Sequence, residues 1–264
     1  NSKIKGYNYQ NQKEEKTSIS KGDLVIQTNQ PKGNMVKVLF EPNAKLSDSL
    51  TYDITAWSLP YAYGLPTIAS ATKVASTKPV AKKAIKNIID SSAYAYISKW
   101  NSIQDASFLG DLLQHDVLVR FSEKSFSIAG KPFNSGSLII LRNDNKTNEF
   151  DQKLIEIANK HQRKLQPVNT GFVNRGVDFG SYSVKPIQKQ KIAVLSGSAT
   201  SSLSFGEVWH FFETQLHYPI TNINKDELQN LALNDFDVLI LPNGYYSSIL
   251  KKEDLNKVKT WIKK

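Results

Sequence analysis

The sequence predicts an α/β protein in two parts: a mixed α/β domain, then a unit in which parallel strands alternate with helices. Three observations predict this. The chain has 264 residues, 40% hydrophobic and 22% charged, which is enough to bury a sizeable core in one large or two medium domains. Short apolar runs such as VLVRF (117–121), SLIIL (137–141) and VLILP (238–242) have the length of buried strands, and none approaches the roughly 20 residues of a membrane span. From residue 191 onward, strand-like and helix-like stretches alternate, which implies parallel pairing with right-handed crossovers.

Residues 1–20 are polar and mixed in charge, and the reading is a linker or a poorly packed arm. The first domain is set at 21–186. It opens with expected strands at 23–28 (DLVIQT) and 35–42 (MVKVLFEP) around the turn QPKG. The aromatic stretch 52–66, interrupted by Pro60 and Gly64, suits a helical turn in a packed loop. Residues 69–83, rich in Ser, Thr, Ala and Lys, are expected as an exposed excursion. AYAYISK (93–99) reads as a strand. A helix capped by Asn101 follows, with Ile103, Ala106, Leu109, Leu112 and Leu113 at helical spacing. VLVRF is the next strand, and residues 125–143 form a hairpin turning at Ala129–Gly130 and ending in a buried strand. A helix over 148–164 presents Phe150, Leu154, Ile157, Ala158 and His161 on one side. The glycines 171, 176 and 180 punctuate a long loop at 170–183, and KPIQKQK (185–191) reads as the connector.

The second domain is set at 187–264. KIAVLSG, YPITNI and FDVLILPNG are its strands; SSLSFGEVWHFFETQL and KEDLNKVKTWIKK carry its helices. Ser204 and Glu207 fit a capping box that starts the first of these helices at Phe205. Phe205, Val208, Trp209, Phe212 and Leu216 form its apolar stripe, with His210, Glu213 and His217 on the opposite side. The chain starts without methionine and ends on TWIKK partway through this alternation, so the expectation is a fragment of something longer.

Several chemistries are limited by composition alone. There is no cysteine, which removes disulfides, zinc–thiolate sites and cysteine nucleophiles. The net charge of +10 invites a nucleic-acid reading. Only Arg120, Arg142, Arg163 and Arg175 are arginines, however, and no aromatic-plus-basic motif accompanies the scattered lysines, so no nucleic-acid partner is expected. There is no G-x-S-x-G elbow. His115 closes a helix, and His161 reads as a packing residue; Arg175 and Asp178 could face a cleft, without an evident partner.

Two features remain as candidate sites. His210-x-x-Glu213, with His217 four residues on, matches the spacing that opens a carboxypeptidase zinc site, but equally the wet side of an ordinary helix. The loops SGSATSS (196–202) and LPNGYYSS (241–248) leave two parallel strands on the same edge of the sheet, and the first runs into a helix N-terminus that favours anions. Ser196, Gly197, Ser198, Asn243 and Gly244 are therefore the ligand-binding candidates. Neither phosphate-loop signature is present, and the simpler reading is that these residues make tight turns.

Residues 21–65, the stretch from YAYISKW to GSLII, TGFVNRGVDFGS and SFGEVWHFFETQLHYPIT are together similar to a region that follows the catalytic domain in bacterial zinc carboxypeptidase-family proteins. The last part of that region resembles a class I glutamine amidotransferase-like domain, which is flavodoxin-like; residues 190–264 resemble its first half. The resemblance implies an exported, periplasmic or extracellular parent with zinc in an upstream peptidase domain. That domain would be this chain's partner, alongside a peptide or glycan ligand. It implies no catalytic residue here, since the amidotransferase nucleophile is a cysteine. It also implies no metal ligand and no cofactor in this stretch, because His217 is the sole later histidine and no arginine follows Arg175. The expectation is a non-catalytic scaffold or ligand-binding region, or alternatively a small-molecule or glycan-binding module without a peptidase role.

Overall fold

The computed structural model describes residues 2–43, 58–74, 84–147, 149–198, 200–248 and 250–263. The chain divides into two compact units, 1–83 and 84–264. The boundary expected after residue 186 lies inside the second unit.

The first unit opens with an antiparallel hairpin where an unstructured arm was expected. Strand β1 (Ser2–Asn8) pairs along its length with β2 (Lys13–Ile19). Side-chain turns close it: Asn8 Oδ1 accepts from the Gln10 amide at 2.8 Å and Asn11 Oδ1 from the Lys13 amide at 3.0 Å, with Gln12 at φ 57°. A two-residue strand, β3 (Ile68–Ala69), completes the sheet in the order β2-β1-β3.

The expected strand at 35–42 is instead helix α1 (Gly33–Phe40), and 23–28 forms no strand. Short apolar runs do not separate helix from strand by period alone. Here Leu24 and Ile26 stay exposed, and among the described residues no strand pairs with them. Gly33 fixes the turn into the helix, because a Cβ there would sit 2.0 Å from the Thr28 carbonyl oxygen. A single turn, α2 (Leu59–Ala62), carries Tyr61 against Tyr9, whose hydroxyl donates to the Phe40 carbonyl. The Tyr61 phenol is pushed up to about 12, first by its hydrogen bond with Tyr7. Residues 51–57, and 75–83 of the expected excursion, lie outside the described residues.

The second unit is built on a five-stranded antiparallel sheet. Its strands are β4 (Ala95–Ser98), β5 (Val119–Ser122), β8 (Leu138–Leu141), β9 (Gln166–Val168) and β10 (Val184–Ile187), in the order β10-β5-β8-β4-β9. All four residues of β4, and all four of β8, are buried, because both faces are covered. On one face Tyr96, Leu138 and Ile140 meet Phe108 and Leu112 of α3 (Ile103–Gln114) and Phe150 and Leu154 of α4 (Phe150–Lys160). On the other, Ala95, Ile97, Ile139 and Leu141 meet the hairpin β6 (Phe126–Ile128) and β7 (Lys131–Phe133), together with Phe179 of the glycine-punctuated loop. The hairpin turns at Ala129 and Gly130, both at positive φ.

Three local expectations change here. Helix α3 is capped by Ser102, not Asn101: Asp105 Oδ2 accepts from the Ser102 amide at 2.7 Å, a reciprocal capping box. Ile103 is exposed and Phe108 takes the core position. Half of the presumed connector is strand β10, an edge strand that tolerates Pro186.

The chain then enters a parallel three-stranded sheet, β12 (Ile220–Asn224), β11 (Ile192–Ser196) and β13 (Val238–Ile240) in that order. Parallel pairing with intervening helices is as the alternation predicts. Helix α5 (Ser202–His210) continues as a π-turn over Phe211–Leu216, and α6 (Lys252–Ile262) ends the described chain. Ala193, Leu195, Ile223, Leu228 and Leu233 form the core on one face of this sheet, with Val258 and Trp261 of α6 packed against it.

Candidate functional site

The two loops at the carboxyl ends of β11 and β13 meet. Gly197 takes φ 111°, which a side chain rarely adopts, and this turns the chain away from β11. The Thr200 amide donates to the Gly197 carbonyl at 3.1 Å. The Ser201 amide then donates to the Asn243 carbonyl at 2.8 Å, and the Asn243 amide donates to Ser204 Oγ at 3.0 Å. Thr200 and Gly244 form an isolated bridge. Ser196 Oγ donates to the Ile223 carbonyl at 3.3 Å. So Gly197, Asn243 and Gly244 are brought together in a stitched seam between loops, largely through backbone, while Ser196 bonds to β12 instead. Ser198 is exposed beside them. The cap of α5 is also one turn earlier than expected: Ser201 Oγ accepts from the Ser204 amide, and the helix starts at Ser202 instead of Phe205.

The His/Glu face of this helix is solvent-facing. His210, Glu213 and His217 are all exposed. Glu213 accepts from the Trp209 indole at 3.0 Å, Thr214 Oγ1 donates to the His210 carbonyl at 2.7 Å, and His217 Nδ1 lies 2.9 Å from the Glu213 carbonyl. The π-turn breaks the 100° spacing, and His217 leaves the helix at φ 52°. The three residues do not fit a zinc ion, which needs donors converging with shelter from water. Among the described residues no group of three His, Asp or Glu is placed to hold a metal. The apolar stripe Phe205, Val208, Trp209, Phe212 and Leu216 is half-buried.

Sequence reasoning missed the best-organised ionisable cluster. Asp111, 7% exposed, accepts from His161 Nε2 and Lys160 Nζ, each at 2.7 Å, and lies 3.0 Å from His115 Nδ1. Burial pushes the Asp111 carboxyl up, but hydrogen bonds from Lys160 and His161 outweigh it and hold the group below the usual carboxylate range. The signal was available: Asp111 interrupts the apolar run FLGDLL of a helix whose other face is core.

Three arginines serve similar joints. Arg142 donates to the carbonyls of Ala93 and Asp90 at 2.7 and 2.9 Å and clasps Asp151, which also accepts from the buried Tyr96 hydroxyl at 3.1 Å. Arg120 binds Asp144 through two nitrogens, at 2.7 and 3.1 Å. Arg163 joins Asp105 at 3.0 Å and Ser102 at 3.1 Å, tying the end of α4 to the start of α3. In the glycine loop, Asp178 accepts from the Val173 amide at 2.7 Å and so holds the loop itself.

Comparison with protein-family models, curated proteins and solved structures finds no match for this chain.

Proposed function

We propose that this chain is a non-catalytic accessory region, a scaffold that works beside a peptidase domain of zinc carboxypeptidase type in an exported parent protein. The observation that carries the reading is the use made of the charged side chains. Asp111, Asp105, Arg120, Arg142 and Asp151 each join one secondary-structure element to another, which is what a rigid support requires. The sequence resemblance supplies the neighbouring domain and the compartment, and the flavodoxin-like class for residues 190–264 belongs to the same proposal. Protein purified free of metal and then given zinc is expected to retain none at stoichiometric level and to cleave no C-terminal residue from test peptides. Tightly held zinc that is lost in His210→Ala would overturn the scaffold reading.

A second reading has its own observation. Ser198, Asn243 and Tyr245 are exposed along the rim of the stitched loops, a polar and aromatic edge suited to a glycan or small molecule. A thermal-shift screen of oligosaccharides and peptides separates the two. A rise in Tm abolished by Asn243→Ala, which leaves the backbone bonds of the seam in place, would favour the binding module. An unchanged Tm across the screen favours the scaffold.

A further inference from the structure

Helix α3 is covered on two sides. Phe108 and Leu112 enter the core of the five-stranded sheet. Ser107, Gly110 and Gln114, three and four residues apart, fall on another line of the helix, well round from that core. Ser107 and Gly110 are nonetheless buried. What covers them is the far end of α5. Ser107 Oγ donates to the Gln215 carbonyl and Gln114 Nε2 to the His217 carbonyl, both at 2.5 Å. A Cβ on Gly110 would stand 3.4 Å from the Tyr218 ring. Tyr218 in turn donates its hydroxyl to the Gln190 carbonyl at 2.6 Å, in the stretch that joins the two sheets.

These carbonyls lie at the end of the helix, Gln215 in its last turn and His217 just past it, where no helical amide remains to bond them. The π-turn, ending at left-handed His217, with the Tyr218 amide donating to the Phe212 carbonyl at 3.0 Å, turns the last carbonyls sideways toward α3. At its other end α5 holds the loops: Ser201 and Ser204 bond the backbone of Asn243. One helix therefore touches α3 at its carboxyl end and the stitched loops at its amino end, about 20 Å away by helical rise.

We infer that α5 and its π-turn form a strut that transmits the position of α3 to the carboxyl-end loops of the parallel sheet, coupling the two sheets mechanically. The coupling is carried by the helix as one body, held at its carboxyl end by Ser107 and Gln114 and bonded at its amino end to the Asn243 backbone. It holds whether or not the loops bind a ligand.

Amide hydrogen exchange on the full chain tests this residue by residue. The double variant Ser107→Ala/Gln114→Ala removes both donors and leaves both cores intact. It is expected to raise exchange about tenfold at Tyr218 and also at the distant Ser201 and Asn243 amides, the factor that two lost hydrogen bonds imply. The amides of Tyr96 and Ile140 report that the five-stranded sheet stays folded. Gly110→Leu is the companion variant: it drives a side chain into Tyr218 while raising the helix propensity of α3, so a loosened loop there cannot come from a weakened α3. Wild-type exchange at Ser201 and Asn243 in either variant, whatever happens at Tyr218, would overturn the strut.

Discussion

The two sheets of the second unit are stabilised in different ways. In the antiparallel sheet, β4 and β8 are buried on both faces, and α3 and α4 contribute fully buried Phe108, Leu112 and Leu154. In the parallel sheet, β13 is only half-buried, α5 has no fully buried residue, and α6 has only Asp254. Apolar burial is the main favourable term in folding, so the antiparallel sheet, with the larger buried clusters, holds more of the stability than the parallel sheet with its single smaller one. The contrast teaches where function-neutral change is tolerated and where it is not.

The largest expected effect breaks the strong side. Phe108→Ala should destabilise by about 3–5 kcal/mol, because it empties a site in a core closed on both faces. Trp209→Ala, in half-buried α5, should cost roughly 1 kcal/mol. Urea unfolding of both variants measures this directly, and equal losses would erase the distinction between the sheets.

A smaller effect concerns the joint between α3 and α4. Asp111→Asn keeps the shape but removes the charge that His161 and Lys160 face. A loss of about 2 kcal/mol is expected at neutral pH, in line with other charge-assisted hydrogen bonds. The sign with pH follows from the lowered carboxyl in the folded protein. Its stabilisation is complete above the unfolded value of about 4 and is lost as pH falls from there through the lower folded value. The urea midpoints of wild type and variant should therefore converge as the pH drops below about 4, and a gap that stays constant would show that the charge is irrelevant. The smallest effect is expected at His210→Ala, within about 0.5 kcal/mol, as for an exposed helix position.

Much of this architecture is legible in the sequence. The β6–β7 turn at Ala129–Gly130, helix α4 and the alternation from residue 191 all carry strong periods or turn residues. What was not legible depends on partners distant in sequence. The hairpin of residues 2–19 looks polar because its outer face is solvated. Residues 184–187 look like a connector until β5 supplies the ladder. The candidate loops were placed on the correct edge of the sheet. That they would bond to each other through Ser201, Ser204 and Asn243 is a matter of three-dimensional approach that no local pattern encodes.

The two outer strands of the five-stranded sheet, β9 and β10, each carry a proline at a paired position, Pro167 opposite Tyr96 and Pro186 opposite Arg120. A proline has no amide hydrogen to give and its ring crowds an approaching chain, so neither border can template a sixth strand. Copies of this protein meeting in a crowded compartment are thereby kept from growing into one another through their most apolar sheet.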